Sequence, residues 1–565
     1  PKLRQRLGSQ QLTSPSHSRA QANAAGIPEG NLRRTKGTAR KSFGLKSMPL
    51  ASCSQSADRA AVSTQRNSGA QYQMKATAGL LPFYLAFYDE IDTTWRDRYT
   101  AFLADIATGL QAHGIGVRTA PICCVAAEFA TAVADFEAAD VDCIITLHLA
   151  YSPSLEAIEA LCGTELPIVM LDTTMDSAFG IDVDPDRILY NHGIHGVMDL
   201  ASMLRRRGRT FEIAAGHYRD SDVLARVAGR AHNRPADLGP SAEPASVPEL
   251  PSKRAAAAAH AFRNSRMLRI GPVFDGMGDF VVDADLLARR FRIVVDEFNL
   301  DALDAAVREV TDEAVDREVA ADRERYDCEL TDQAHARSVR VGLGLRALLE
   351  SGDYDGFSVN FQAFDSEDRP ANTMPFLEAS KAMARGVGYA GEGDVLSAAL
   401  VGALARGFGA TTFTEIFCPD WAGNSLFLSH MGEISPAVAA GTARVFEKPL
   451  PFMGGHSPAV LTCATKPGPA VLVNIAPGPD ETFSLILARV EVLAEDDSLD
   501  PRMPDNVRMW IRPMDGDISH FLEAYSRAGG THHNALVLGD QAEGITAFGR
   551  MLGMTVVQID GGLAR

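Results

Sequence analysis

No stretch of this chain is long and apolar enough to cross a bilayer. Its longest apolar runs, such as residues 80–88 (LLPFYLAFY), fall far short of the roughly 20 residues a spanning helix needs, which excludes a helical membrane protein. Paired cysteines are missing too. None of the eight cysteines stands in CxxC spacing to another, and several sit in apolar surroundings such as VDCIITL and PICCV. That pattern excludes a zinc ribbon or a disulfide framework and reads as buried free thiols in a reducing, cytoplasmic compartment. The strand-like run that opens the body is not followed by a GxGxxG loop, which counts against a nucleotide-dependent oxidoreductase. An excess of positive charge is lacking as well. The chain carries a net charge of −18, so it is a poor general nucleic-acid binder.

Acidic residues are nearly absent from one segment. Residues 1–77 hold thirteen Lys and Arg against only Glu29 and Asp58, and the remainder therefore carries −29. Rich in Ser, Gln, Ala and Arg, this segment cannot bury enough apolar surface to order itself. It is expected to be disordered, to be an organellar targeting peptide, or to precede a translation start at Met74.

What is present is an alternation of strand-length apolar runs with helical periodicity. Strand-like segments at 80–88, 117–122, 141–149, 167–171 and 210–215 are separated by helical patterns at 95–113, 127–139, 154–162 and 197–206. A proline-rich stretch interrupts this at 233–253, after which it resumes at 267–274, 292–298 and 357–361, with a helix at Val395–Phe408 capped by Asp394. The last third turns strand-rich. The fold class expected is α/β: two doubly wound parallel-sheet domains followed by a C-terminal α+β sheet-rich domain. The boundaries expected are an N-terminal domain at 78–232, a linker at 233–264, a central domain at 265–424 and a C-terminal domain at 425–565.

Six short motifs gather the chemistry-bearing residues: YNHGIHG at 190–196, GMGDF at 276–280, GEGD at 391–394, TFTEIFCPD at 412–420, SHMGEISP at 429–436 and GGTHHN at 529–534. Taken singly, each reads as a turn, a cap or a structural residue. Taken together, they supply carboxylates and imidazoles beside glycines that let the backbone approach closely. Convergence of Glu415, Glu433 and His533 would make a carboxylate-rich site with one imidazole, suited to a divalent ion such as Mn²⁺.

The same motifs in this order, from LLPFYLAFYDE through LHLAYSPSLE, MPFLEASKAMARGVGYAGEGD, TFTEIFCPDW and SHMGEISP to GGTHHNALV, make the chain resemble the L-arabinose isomerase family. The likeness spans about residues 79–560 and looks closest to an arabinose isomerase-like branch of the L-fucose/L-arabinose isomerase superfamily. It implies a three-domain homo-oligomer, commonly a hexamer, with active sites between subunits. It also implies a Mn²⁺ cofactor, a monosaccharide substrate and aldose–ketose isomerisation through a metal-stabilised enediol. Glu415 and Glu433 match the family's acid/base pair, which together with His533 supplies metal ligands. His195 matches a histidine that reaches a neighbouring subunit's site, and Met277 falls in a motif that lines the sugar pocket. The chain departs from the family at the fourth ligand: His456 is the one candidate, and it stands several residues too late. The alternative from another class is a catalytically inactive sugar-binding or regulatory protein on the same scaffold.

Overall fold

The apolar run Cys143–His148 is buried at every position, as a parallel strand covered on both faces must be. It is the third strand of the first sheet. The structure is a computed structural model that describes residues 76–232, 252–450, 453–560 and 563–564. The expectations for residues 1–75 and for the proline-rich part of the linker, 233–251, lie outside the described residues.

The first sheet contains β1 (Ala76–Phe83), β2 (Ile115–Thr119), β3 (Cys143–His148), β4 (Ile168–Asp172) and β5 (Glu212–Ala215), all parallel, in the order β2-β1-β3-β4-β5. Leu80 and Ile145 face one buried layer, while Leu81 and Ile144 face the other. The strand order reverses direction between β1 and β3, which opens a crevice at their C-terminal ends. The apolar run at 80–88 was expected to be one strand. Instead β1 stops at Phe83, where its pairing with His148 of β3 ends, and the chain turns into a short helix α1 (Phe87–Ile91). Helix α2 (Ile194–Arg206) is buried along most of its length and carries His195 in its first turn.

The expected linker 233–264 contains a helix, α3 (Lys253–Phe262), at its end. Ser252 caps it by accepting from the Ala255 amide, and its alanine-rich sequence has high helix propensity. Ala258 of α3 lies against Gly407 at the end of α4 (Val395–Phe408), where a β-carbon would come within 2.6 Å of the alanine. The second sheet holds β6 (Arg266–Ile270), β7 (Val294–Phe298), β8 (Gly356–Val359) and β9 (Gly388–Gly391), again parallel, in the order β9-β8-β6-β7.

The C-terminal part is a closed antiparallel barrel. Its strands are β10 (Thr411–Asp420), β11 (Ser425–Ser429), β12 (Gly468–Pro477), β13 (Phe483–Val492), β14 (Met509–Pro513) and β15 (His533–Leu538). They run β12-β15-β10-β11-β14-β13, and β13 pairs back onto β12. Strand β10 falls before residue 425, in the stretch expected to belong to the central domain. Its hydrogen bonds go to β11 and β15, so it is a barrel strand. Sequence places it after α4 in an α/β rhythm, but it forms a hairpin with β11 and pairs on its other side with β15, more than a hundred residues on, which that rhythm does not show.

Candidate active site

The site begins with a register. In the barrel, Glu415 of β10 stands directly opposite His533 of β15 on one side and Ser429 of β11 on the other. The residue after Ser429 is His430, so three barrel strands bring one carboxylate and two imidazoles together. Glu415 Oε1 lies 2.9 Å from His533 Nε2 and 3.1 Å from His430 Nε2. Its Oε2 lies 3.8 Å from His195 Nε2, which α2 delivers from the first sheet's domain. The resemblance implies that this histidine serves a neighbouring subunit; in the structure it reaches Glu415 of its own chain.

The turn after β9 adds a second carboxylate. Glu392 has a positive φ of 60°, and Gly393 follows at 95°. A non-glycine residue in the left-handed region is uncommon and tends to mark a functional position. The turn aims Glu392 Oε2 to 3.5 Å from His533 Nε2 and 3.9 Å from His532 Nε2. Gly391, just before it, leaves room for His430: a β-carbon there would meet the imidazole at 2.7 Å.

Two further carboxylates fix the imidazoles from behind. Asp394 Oδ1 accepts from the Ser397 amide and caps α4, while its Oδ2 holds His533 Nδ1 at 2.9 Å. Asp279 Oδ2 accepts from the His532 amide and holds its Nδ1 at 2.8 Å. Asp279 is in turn fixed through its own amide, which donates to Asp199 of α2 at 2.9 Å. With a cation bound, the ring proton of each histidine would sit on Nδ1 toward its carboxylate and free Nε2 to ligate; Nε2 of His533 faces Glu392 and Glu415, and Nε2 of His532 faces Glu392. Phe280 stacks on the His533 ring at 4.7 Å and keeps it in plane.

Electrostatics follow from this packing. Burial alone would push His532 down; the neighbouring Asp279 outweighs it and raises the group to about 10. Burial also opposes the charged form of His533, and the carboxylates of Asp394, Glu392 and Glu415 around it carry it well above the ordinary histidine value. Glu415 is drawn the other way: despite burial, His430 and His533 hold it well below the carboxylate range. His195 and His192 feel mainly desolvation, which lowers them to about 3 and about 4, so both are neutral at physiological pH.

These residues offer a metal four donors. One ligand atom from each of Glu392, Glu415, His532 and His533 lies within 4.8 Å of the others, all buried. The Nε2 atoms of His532 and His533 and Oε2 of Glu392 make no hydrogen bond. His533 and Glu415 therefore approach to 2.9 Å without hydrogen-bond geometry at the imidazole nitrogen, an arrangement that a shared cation would satisfy. Nitrogen and carboxylate donors backed by carboxylates fit a divalent ion.

The other expected site residues divide. Met277 and His195 line a cavity of about 450 Å³ whose floor includes Glu392, Glu415, His430 and His532. Glu433 lies one layer back and is fully buried. It accepts from Tyr389 Oη at 2.6 Å and from the Gly432 amide at 2.7 Å, and its Oε1 contacts His430 Nδ1 at 2.6 Å. His456 is not brought to the cluster. Its amide donates to the Asn372 carbonyl, and its ring, 33% exposed, faces Glu367 at 3.4 Å. Its backbone pairing with Thr373 ties the loop there. Glu392, His430, His532 and Asp279 were not singled out as site residues, although each falls in one of the six motifs. Only the adjacent histidines of GGTHHN gave a signal, and nothing in the sequence says that both point inward.

Comparison with known proteins comes to the same place. A family model for the L-arabinose isomerase central domain matches residues 277–406, and one for the L-arabinose isomerase C-terminal domain matches residues 410–555. An L-arabinose isomerase from a Nocardioides species is 30% identical over 427 residues, covering 73% of this chain and 78% of that protein. One from Herpetosiphon aurantiacus is 28% identical over 427 residues, covering 73% of this chain and 79% of its own length. Among solved structures, a solute-binding protein from Agrobacterium vitis aligns over 59% of this chain and 88% of its own, with 12% identity and a TM-score of 0.15, and no likeness is read from it.

Proposed function

The chain belongs to the L-arabinose isomerase family and is an aldose–ketose sugar isomerase, and on that premise we propose that it works through an enediol, with charge stabilisation that a divalent cation, Mn²⁺ by resemblance, would supply. The observation that carries this reading is the convergence of Glu392, Glu415, His532 and His533 within 4.8 Å, the first three of which line a cavity. Glu415 and His533 are the core of the ligand set, with Glu392 and His532 completing it where His456 does not reach. When bound, the ion would stabilise negative charge developing on adjacent substrate oxygens.

The chain's own residues do the rest. Glu415 is held ionised and faces the cavity, so it takes the proton from C2 of the aldose and returns it to C1. The C2–H and O2–H bonds break, the C1–H and O1–H bonds form, and no oxidant or reductant is consumed. His195, neutral and 3.8 Å from Glu415, can accept or donate at the substrate hydroxyl. Glu433 does not reach the cavity. It acts through His430, whose two ring nitrogens contact Glu433 and Glu415. His195 approaches Glu415 from the same chain.

Stripping the protein with chelator and restoring Mn²⁺ tests the reading, with ketose formation followed by NMR from a panel of aldoses and shorter 2-hydroxyaldehydes. Turnover should vanish on stripping and return with metal. Turnover untouched by chelation would sink the cation, and no turnover on any substrate would sink the isomerase mechanism.

A further inference from the structure

Helix α2 carries three polar residues at spacings of four and seven: His195, Asp199 and Arg206. Those spacings are close to one and two helical turns, so the three share a face. His195 reaches the site itself. The other two turn to the loop after β6 that contains the GMGDF motif. Asp199 is fully buried. Its Oδ1 accepts from the amides of Gly278 and Asp279 at 3.2 and 2.9 Å, and its Oδ2 accepts from the Ser154 amide at 3.0 Å. Arg206 takes the opposite groups of the same loop. Its Nη1 donates to the carbonyls of Gly278 and Asp279 at 2.9 and 3.4 Å, and its Nη2 donates to that of Val281 at 3.0 Å.

The glycines of the motif allow this close approach. A β-carbon on Gly276 would meet Pro153 at 2.8 Å, and one on Gly278 would meet Ser154 Oγ at 2.6 Å and Met203 of α2 at 2.8 Å. The Gly276 carbonyl accepts from the Leu155 amide at 3.0 Å, so the loop is also tied to the segment before α2. Asp279 links this arrangement to the site. Helix α2 holds its amide and its carbonyl, while its carboxylate takes the amide and Nδ1 of His532. A carboxylate that orients an imidazole is placed only as well as its own backbone, and a ligating histidine depends on such a partner.

We infer that Asp199 and Arg206 are positioning residues of the ligand cluster: by clamping the 278–281 loop against the first domain, they set Asp279 so that His532 presents Nε2 beside Glu392. Cation affinity is thereby coupled to the docking of the first domain on the second. The inference rests on the cation reading of the site and adds two residues that act on it through Asp279.

The test is a double-mutant cycle read by Mn²⁺ binding. The full chain is stripped with chelator and titrated with Mn²⁺, the free ion being followed by EPR. Asp199→Asn places an amide where three N–H groups need acceptors, and it should raise Kd by about tenfold or more. Asp279→Ala removes the link to His532; in that background Asp199→Asn should change Kd by less than about twofold, since residues acting in series do not add. Leu200→Ala, next to Asp199 but packed in the first sheet's core, controls for general loosening: calorimetry should show a lower Tm, with Kd within about twofold of wild type. Arg206→Lys keeps the charge but not the fork to three carbonyls, and it carries the same cycle if Asp199→Asn does not fold. An unchanged Kd in the clamp variants overturns the inference and leaves the cation reading standing. So does a rise in Kd as large in the Asp279→Ala background as in the wild type, or one that Leu200→Ala reproduces. A wild type that takes up no Mn²⁺ removes the cation reading and this inference with it.

Discussion

At the residue scale the two family glutamates part company. Glu415 faces the cavity and contacts three imidazoles, whereas Glu433 is enclosed by Tyr389, the Gly432 amide and His430. Conservative substitutions separate the roles. Glu415→Gln should lower kcat by about 10²- to 10⁴-fold, the usual worth of a general base. Glu433→Gln retains shape and the amide contact but removes the charge behind His430; the expected loss is about 10- to 100-fold, typical of a partner that orients a ligand. Steady-state kinetics on both variants check this, and near-normal activity in Glu415→Gln would refute the assignment. Both motifs were visible in the sequence. That one glutamate reaches the cavity and the other does not was not visible, because it depends on whether His430 packs between them, which Gly391 permits.

At the element scale a single side chain links fold to chemistry. Asp394 caps α4 with one oxygen and fixes His533 with the other, so the helix N-terminus and the barrel strand β15 are held to the same carboxylate. The cap was legible from the sequence, since an aspartate preceding a helical apolar pattern is an ordinary start signal. The second role was not, because β15 lies far along the chain. Two substitutions resolve the roles. Asp394→Ala should cost about 1 kcal/mol of stability, as cap removal does, and should also weaken metal binding. Asp394→Asn preserves the cap but not the charge on His533, so stability should change little while Mn²⁺ affinity falls by about 10- to 100-fold. Denaturant melts and metal titrations measure the two effects independently; equal metal affinity in Asp394→Asn and wild type would count against the orienting role.

At the scale of the whole molecule, the site is a meeting of the two parallel sheets and the barrel. The first sheet's domain sends His195 and Asp199, the second sends Asp279, Glu392 and Asp394, and the barrel supplies Glu415, His430, His532 and His533. A ligand held by such a cluster binds the folded state and not the unfolded chain, so it stabilises the whole body. At a metal concentration of about 100 times Kd the gain is about 2.7 kcal/mol. Calorimetry with and without Mn²⁺ should show a raised Tm that chelator reverses, and the shift should disappear in a Glu415→Gln, His533→Gln double variant. A Tm indifferent to metal in the wild type would argue that the cluster binds protons only.

The amino-acid sequence determined what local patterning can carry. The parallel strands, the Val395–Phe408 helix with its cap, the strand-rich C-terminal part and the six motifs all follow from apolar periodicity, turn residues and composition over windows of a few residues. Family resemblance then named the reaction. Tertiary structure alone decided which motif residues converge. Barrel closure sets Glu415 opposite His533, and the left-handed turn at Glu392 aims a second carboxylate at them. A backbone tie to Asn372 and Thr373 keeps His456 away. These outcomes depend on strand register and on contacts between segments more than eighty residues apart in the chain. A one-residue change of register would turn every side chain of a strand to the other face, so local pattern cannot fix which of them meet.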